Sequence, residues 1–171
     1  LLDHVKKCWA SLYSPRSLYH LYQRQVKLAD LRMAVIIQRM VPARVSGLAY
    51  TVHPVHRDPQ QMVIEAVLGL GEAIVSGKIL PDTYVIRKDP FTVLEKNVVT
   101  QSIVITCAEK EGTETKELTK PVSVQKLTAE ELREVGEACL RLEEHYGKPQ
   151  SIEWVWADEL YFVQSRSIDF S

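Results

Sequence analysis

Cysteine is scarce in this sequence. Its 171 residues hold three, Cys8, Cys107 and Cys139, too far apart for a C-x-x-C pair and too few for a disulfide framework. All three are therefore read as structural side chains in a reducing compartment. No apolar run approaches the roughly 20 residues that a bilayer span requires. The longest strongly apolar stretch is Met33 to Ile37, and nothing at the start resembles a signal peptide. An excess of one charge is missing too: 21 Lys and Arg against 22 Asp and Glu leave a net charge of -1, so no global field attracts nucleic acid or an anionic membrane. The expectation is a soluble, cytoplasmic protein with neither as a partner.

Common catalytic templates are also absent. Gly69-Leu70-Gly71-Glu72-Ala73-Ile74 begins like a dinucleotide fingerprint, but Ile74 stands where the third glycine must let helix pack on strand. Gly77-Lys78 is no P-loop, because Ile79 follows where a hydroxyl must ligate magnesium. The five histidines, His4, His20, His53, His56 and His145, form no H-E-x-x-H or H-x-x-x-H array. Pro54 lies between His53 and His56, which predicts an irregular surface loop there.

What is present is an ordinary globular composition, 46% hydrophobic and 25% charged. The chain opens on Leu1-Leu2-Asp3 without methionine and stops at Phe170-Ser171 directly after an apolar strand, so it is read as a piece of something longer. Helical spacing of Leu2, Val5, Cys8 and Trp9, then the Ser14-Pro15 cap, predict a helical lead-in over 1–30 whose second helix runs from about Arg16 to about Leu28. Short Val, Ile, Tyr and Thr runs predict strands at 33–40, 47–52, 61–67, 84–86, 91–94 and 98–106. The charged, Thr-rich stretch 109–120 with Gly112 reads as an exposed hairpin tip or mobile loop. Thr128 with Glu131 forms a capping box opening a helix over 129–146, which Gly147 and Pro149 stop. Strands at 151–156 and 160–166 close the chain as an antiparallel hairpin. Helices towards both ends of a largely antiparallel sheet make the predicted class α+β.

The last hairpin carries the chemistry. Strands sort side chains onto two faces, so a two-residue Asp158-Glu159 turn would set Glu153 opposite Gln164 and Ser151 opposite Arg166. A carboxylate, an amide and a guanidinium on one face suit magnesium and a polyphosphate. A loop with an odd number of residues would point Glu153 away from Gln164. On pattern alone, a solvated ion-pair face and a metal site both stay open.

Several segments carry a family resemblance. They are Ala34-Val35-Ile36-Ile37-Gln38-Arg39-Met40-Val41, Ser46-Gly47-Leu48-Ala49-Tyr50-Thr51, Ile64 to Glu72, Val75-Ser76-Gly77, Pro81-Asp82, Pro149 to Trp154 and Leu160 to Arg166. In this order, from about Cys8 to Ile168, they resemble the ATP-binding domain of phosphoenolpyruvate synthase and pyruvate phosphate dikinase. Rifampin phosphotransferase shares that domain.

The resemblance implies an ATP-grasp architecture, with residues 1–171 forming one partial domain: a helical lead-in at 1–30 and the later lobe at 31–171. It also implies ATP and Mg2+ as cofactors. Gln38, Met40 and Val41 would form the adenine hinge, Glu153 and Gln164 would hold magnesium and phosphates, and Arg166 would be the catalytic phosphate contact. Glu72 joins the nucleotide side, with turn capping as its alternative, and Arg16 is weighed in the same way. The parent would make phosphoenolpyruvate from pyruvate and ATP through a phosphohistidine. Its partners would be the remaining domains of the same polypeptide: the first ATP-grasp lobe, the phosphohistidine domain and a pyruvate-binding barrel. The chain alone would be inactive. Ser151 stands where the family usually has an acid, His53 where it commonly has aspartate, Ser167 where it has proline, and His20-Leu21 where Tyr-Arg is frequent. An antibiotic phosphotransferase and a decayed nucleotide-sensing or structural module are the competing expectations.

Overall fold

A computed structural model describes residues 1–27 and 30–170. The chain divides into two units, Leu1–Arg39 and Met40–Ser171. In the first, α1 spans Leu2–Ser11 and α2 spans Pro15–Gln23. The Ser14 hydroxyl accepts the Ser17 N–H at 3.3 Å and Pro15 occupies the first turn, as the sequence predicts. α2 is shorter than expected: Arg24 caps it and Gln25 takes a φ of 54°. The expected end at Leu28 lies outside the described residues. The strand predicted at 33–40 does not form, and residues 31–43 carry no regular structure. Strand propensity is realised only beside a neighbouring strand, and this run has none among the described residues. Ile36 and Ile37 stand 88% and 66% exposed.

The second unit is built on a six-stranded antiparallel sheet. Its strands are β1 (Val45–Tyr50), β2 (Gln61–Leu68), β3 (Asp82–Arg87), β4 (Thr92–Asn97), β7 (Gln150–Trp156) and β8 (Leu160–Ser167), in the order β4-β3-β2-β1-β7-β8. A separate hairpin pairs β5 (Gln101–Cys107) with β6 (Thr113–Val122), so much of the stretch expected as a tip or loop is a strand. A short α3 (Glu72–Val75) follows the glycine turn, and α4 (Ala129–Tyr146) precedes the final hairpin. The class is α+β, as expected.

One face of the sheet packs the main core. Val45 and Ala49, Met62, Ile64 and Ala66, Tyr84 and Ile86, and Ile152 and Trp154 meet Leu132, Val135 and Cys139 of α4. Alternation along each strand puts their neighbours on the opposite face. Gly47 belongs to the core face for a steric reason. A Cβ there would lie 1.7 Å from the Glu65 carbonyl oxygen and 2.7 Å from the Trp154 ring. The capping box holds α4 as predicted: Thr128 Oγ1 accepts the Glu131 N–H at 3.1 Å and Glu131 accepts the Thr128 N–H at 2.8 Å. Gly147, at φ 62°, ends the helix.

The β5–β6 hairpin is fastened by side chains. The buried Gln101 amide accepts from the Leu68 N–H at 2.9 Å and donates to the Leu68 carbonyl at 3.0 Å, so one side chain does the work of a strand neighbour. Below it, the fully buried Asp82 accepts from Lys126 Nζ at 2.8 Å, from the Lys126 and Val99 N–H groups at 3.0 and 2.9 Å, and from the Tyr84 hydroxyl. Gly69, at φ 79°, passes so close to Ile105 that a Cβ would sit 2.3 Å from its carbonyl oxygen.

Candidate functional site

The sheet face turned away from α4 carries a polar row. Thr83, Glu65, Leu48, Glu153 and Gln164 stand in register across β3, β2, β1, β7 and β8. Beside it runs a second row, Val63, Tyr50, Ser151 and Arg166. The members of the first row are all half-exposed, whereas Ile64, Ala49 and Ile152 on the α4 face are fully buried. This row is therefore the open part of the face, while Ser46, Val63 and Val67 on the same side are buried.

Glu153 and Gln164 do meet, though not through the two-residue turn considered for them. The loop holds three residues, Ala157, Asp158 and Glu159, with Trp156 paired to Leu160 and Trp154 to Phe162. An odd loop alone would set Glu153 opposite Val163. A bulge between Glu153 and Trp154 passes over Val163 in the register and restores Glu153 opposite Gln164 and Ser151 opposite Arg166. Gln164 Nε2 donates to Glu153 Oε1 at 2.8 Å, and Arg166 donates to Gln164 Oε1 at 3.1 Å. The base of the hairpin is locked by the buried Gln150, whose N–H donates to Thr51 Oγ1 at 2.8 Å and whose Oε1 accepts from Ser165 at 2.9 Å.

The remaining expected residues lie elsewhere. Gln38 is exposed in the first unit, while Met40 and Val41 begin the second as irregular chain leading into β1. Glu72 is exposed at the start of α3 and accepts from the Thr113 hydroxyl at 2.9 Å. His53 and His56 stack with ring centroids 4.4 Å apart, and His53 Nδ1 accepts the Val55 and His56 N–H groups, which closes a local turn.

Two residues that the sequence did not single out share the open face. Burial holds the Glu65 carboxyl above the ordinary glutamate range. Burial, then Glu65, then Glu153 push the Tyr50 phenol upward in the same way, so both carboxylates act on one hydroxyl. A signal for Glu65 existed: it is the one charged residue in the apolar run Met62-Val63-Ile64-Glu65-Ala66-Val67.

Among the described residues no group of three or more His, Cys, Asp or Glu is arranged to hold a metal ion. Magnesium needs no such group, since it takes one or two protein oxygens and completes its shell with phosphates and water. Glu153 suits this donor set, with Gln164 Nε2 holding one carboxylate oxygen and Arg166 beside the amide to meet an anion.

Comparison with known proteins gives the chain a family. The family model for the pyruvate phosphate dikinase AMP/ATP-binding domain matches residues 1–171. A probable phosphoenolpyruvate synthase of Archaeoglobus fulgidus is 38% identical over 171 residues, covering 98% of this chain and 22% of the relative. The phosphoenolpyruvate synthase of Pyrococcus furiosus is 34% identical over 178 residues, covering 98% of this chain and 22% of its own. The rifampicin phosphotransferase of Bacillus subtilis is 34% identical over 170 residues, covering 98% and 19%. The chain thus spans about a fifth of the length of these relatives. With its antiparallel sheet and a full-length match, this chain belongs to the pyruvate phosphate dikinase AMP/ATP-binding domain family.

Proposed function

We propose that the chain forms the phosphate-binding side of an ATP-dependent phosphotransferase of the phosphoenolpyruvate synthase type, and that Glu153, Gln164 and Arg166 are its working residues. The observation that carries this is the hydrogen-bonded series from Arg166 through Gln164 to Glu153 on an open sheet face. A carboxylate facing a triphosphate repels it unless a cation intervenes. Glu153 and Gln164 would therefore hold Mg2+, which when bound neutralises charge on the phosphates. Arg166 supplies a fixed positive fork for the phosphoryl oxygens as charge develops. Gln164 keeps both neighbours in place, donating to one and accepting from the other. Gln38, Met40 and Val41 are proposed to receive the adenine, with main-chain groups on its edge and Met40 on its face.

The rest of the proposal concerns the larger polypeptide. It would cleave ATP, carry phosphate on a histidine of another domain and form phosphoenolpyruvate on a pyruvate-binding barrel, with the first ATP-grasp lobe closing over the nucleotide. The 171 residues alone would bind ATP weakly and turn nothing over. The site is proposed to work in the cytoplasm. A rifampicin phosphotransferase is as similar as the Pyrococcus furiosus synthase, 34% identical in each case, so an antibiotic acceptor is the second reading.

Substituting Glu153→Gln or Gln164→Ala in the full-length protein should lower ATP cleavage by about 100-fold, the upper range for losing a metal-side group. Near-normal cleavage by both variants would remove the assignment. Product formation from pyruvate against rifampicin then separates the two acceptors.

A further inference from the structure

Positive charge is unevenly shared along the chain. Residues 1–39 hold seven Lys and Arg against two Asp, while residues 40–171 hold fourteen against twenty Asp and Glu. Between Asp3 and Asp30 there is no acid at all, yet Lys6, Lys7, Arg16, Arg24 and Lys27 fall in that interval. Its two arginines share one concave surface. Leu12, Arg16, Ser17, His20, Leu21 and Arg24 line a groove of about 370 Å³ along α2. Arg16, His20 and Arg24 recur every fourth residue, so one side of the helix carries all three. Their side chains are exposed and make no hydrogen bond or ion pair among the described residues. Leu12, Ser17 and Leu21 between them are half-buried.

A solvated basic face explains only part of this arrangement. The helix dipole favours His20 in the last turn and Arg24 at the C-cap. It opposes Arg16, which follows Pro15 in the first turn, where no acidic residue balances it. Cations four residues apart on a helix also repel one another. An anion lying along the groove removes both costs at once.

We propose that this groove binds the linear polyphosphate group of a small ligand, with Arg16 and Arg24 each gripping a phosphoryl group and His20 donating between them. A guanidinium meets phosphate through two parallel N–H donors, and an imidazole offers an N–H in either protonation state. At 1.5 Å per residue, Arg16 and Arg24 stand about 12 Å apart along the helix axis. That spacing suits two or three linked phosphoryl groups better than a single phosphate. The groove's volume lies at the low end for ligand sites, so the ligand is small. This site goes beyond the proposed reading of Glu153, Gln164 and Arg166 and does not depend on it.

The test uses full-length protein in Mg2+-free buffer, because Glu153 repels a polyphosphate when no cation intervenes. Inorganic tripolyphosphate should bind in isothermal calorimetry, and Arg16→Ala and Arg24→Ala should each raise its Kd about 10-fold, the loss of one charge-assisted contact. Arg16→Lys should recover only part of that loss, since lysine keeps the charge without the fork. The double change Lys6→Ala with Lys7→Ala removes two charges from the same acid-free stretch outside the groove, and should alter Kd by no more than about 2-fold. An equal loss in that double variant would show a diffuse basic surface and overturn the proposal. So would citrate binding as tightly as tripolyphosphate, or no binding of tripolyphosphate at all. Binding lost in Arg166→Ala but kept in Arg16→Ala would put the anion on the sheet face instead, and would overturn it too. AMP-PNP, a non-hydrolysable ATP analogue, separates the sources. Tighter binding than tripolyphosphate, lost in Arg16→Ala, identifies a nucleotide tail; equal binding identifies a free polyphosphate, and either result supports the groove. Should the alanine variants fold poorly, the lysine variants at 16 and 24 decide.

Discussion

Glu153 faces Gln164 across β7 and β8 because the strand register shifts by one residue between Glu153 and Trp154 and passes over Val163. The 2.8 Å hydrogen bond between their side chains therefore depends on one supernumerary residue rather than on the turn. Deleting Val163 should straighten β8 and keep Gln164 opposite Glu153, since the next residue takes the vacant register position. Nucleotide binding should then survive. Inserting one alanine after Val163 should instead turn Gln164 and Arg166 to the other face and abolish it. AMP-PNP titration of the two variants checks the pair, and equal affinities would show that the register is not what matters.

The stability of the sheet should be most sensitive at Gly47. In Gly47→Ala the new methyl group would meet a backbone carbonyl at 1.7 Å, and neither that carbonyl nor the Trp154 ring can yield without moving β2 or β7. Overpacking of this kind costs about 3 kcal/mol, the upper end of its usual range. Urea denaturation at constant slope measures it.

The buried ion pair of Asp82 and Lys126 should be costly to break from either side. Their side chains are 0% and 1% exposed, so Asp82→Ala leaves an ammonium group in the interior and frees two N–H groups. The expected loss is about 3–5 kcal/mol. Replacing both residues together with apolar ones should cost less than the single change, which a double-mutant cycle reads directly.

Glu65 gives the protein a pH signature. Its carboxyl is held above the ordinary value by burial, so the protonated form is favoured in the folded state. The stabilising contribution is complete below the unfolded pKa of about 4.3 and is lost as pH rises through the higher folded value. Thermal melts of the free protein from pH 4.5 to pH 8 should show the unmodified protein losing ground to Glu65→Gln as pH rises through the folded value and keeping that deficit above it. A constant difference across that range would remove burial as the cause.

Local signals in the sequence located local structure. Ser14-Pro15 opened α2, Thr128 with Glu131 opened α4, and Gly147 closed it. Short-range side-chain chemistry fixes such points whatever the rest of the chain does. The sheet face was legible only in part. Alternation placed Glu153, Gln164 and Arg166 together only with an even loop; the loop has three residues, and the bulge at Val163 that restores the pairing leaves no mark in the pattern. Glu65 could not be joined to Glu153 without knowing that both β2 and β7 flank β1, a pairing of segments far apart in the chain. The failed strand at 33–40 has the same origin: its Val and Ile residues announce a propensity, and propensity does not supply a neighbour.

The position of β1 between β2 and β7 also constrains how the molecule can be made. During synthesis β1 emerges early and pairs at once with β2, but its other edge waits for about 100 residues until β7 leaves the ribosome, by chain growth alone several seconds. Over that interval an unpaired row of Val45 to Tyr50 backbone groups is open to any passing strand. The nascent chain is thus most prone to aggregation in the period just before the terminal hairpin appears.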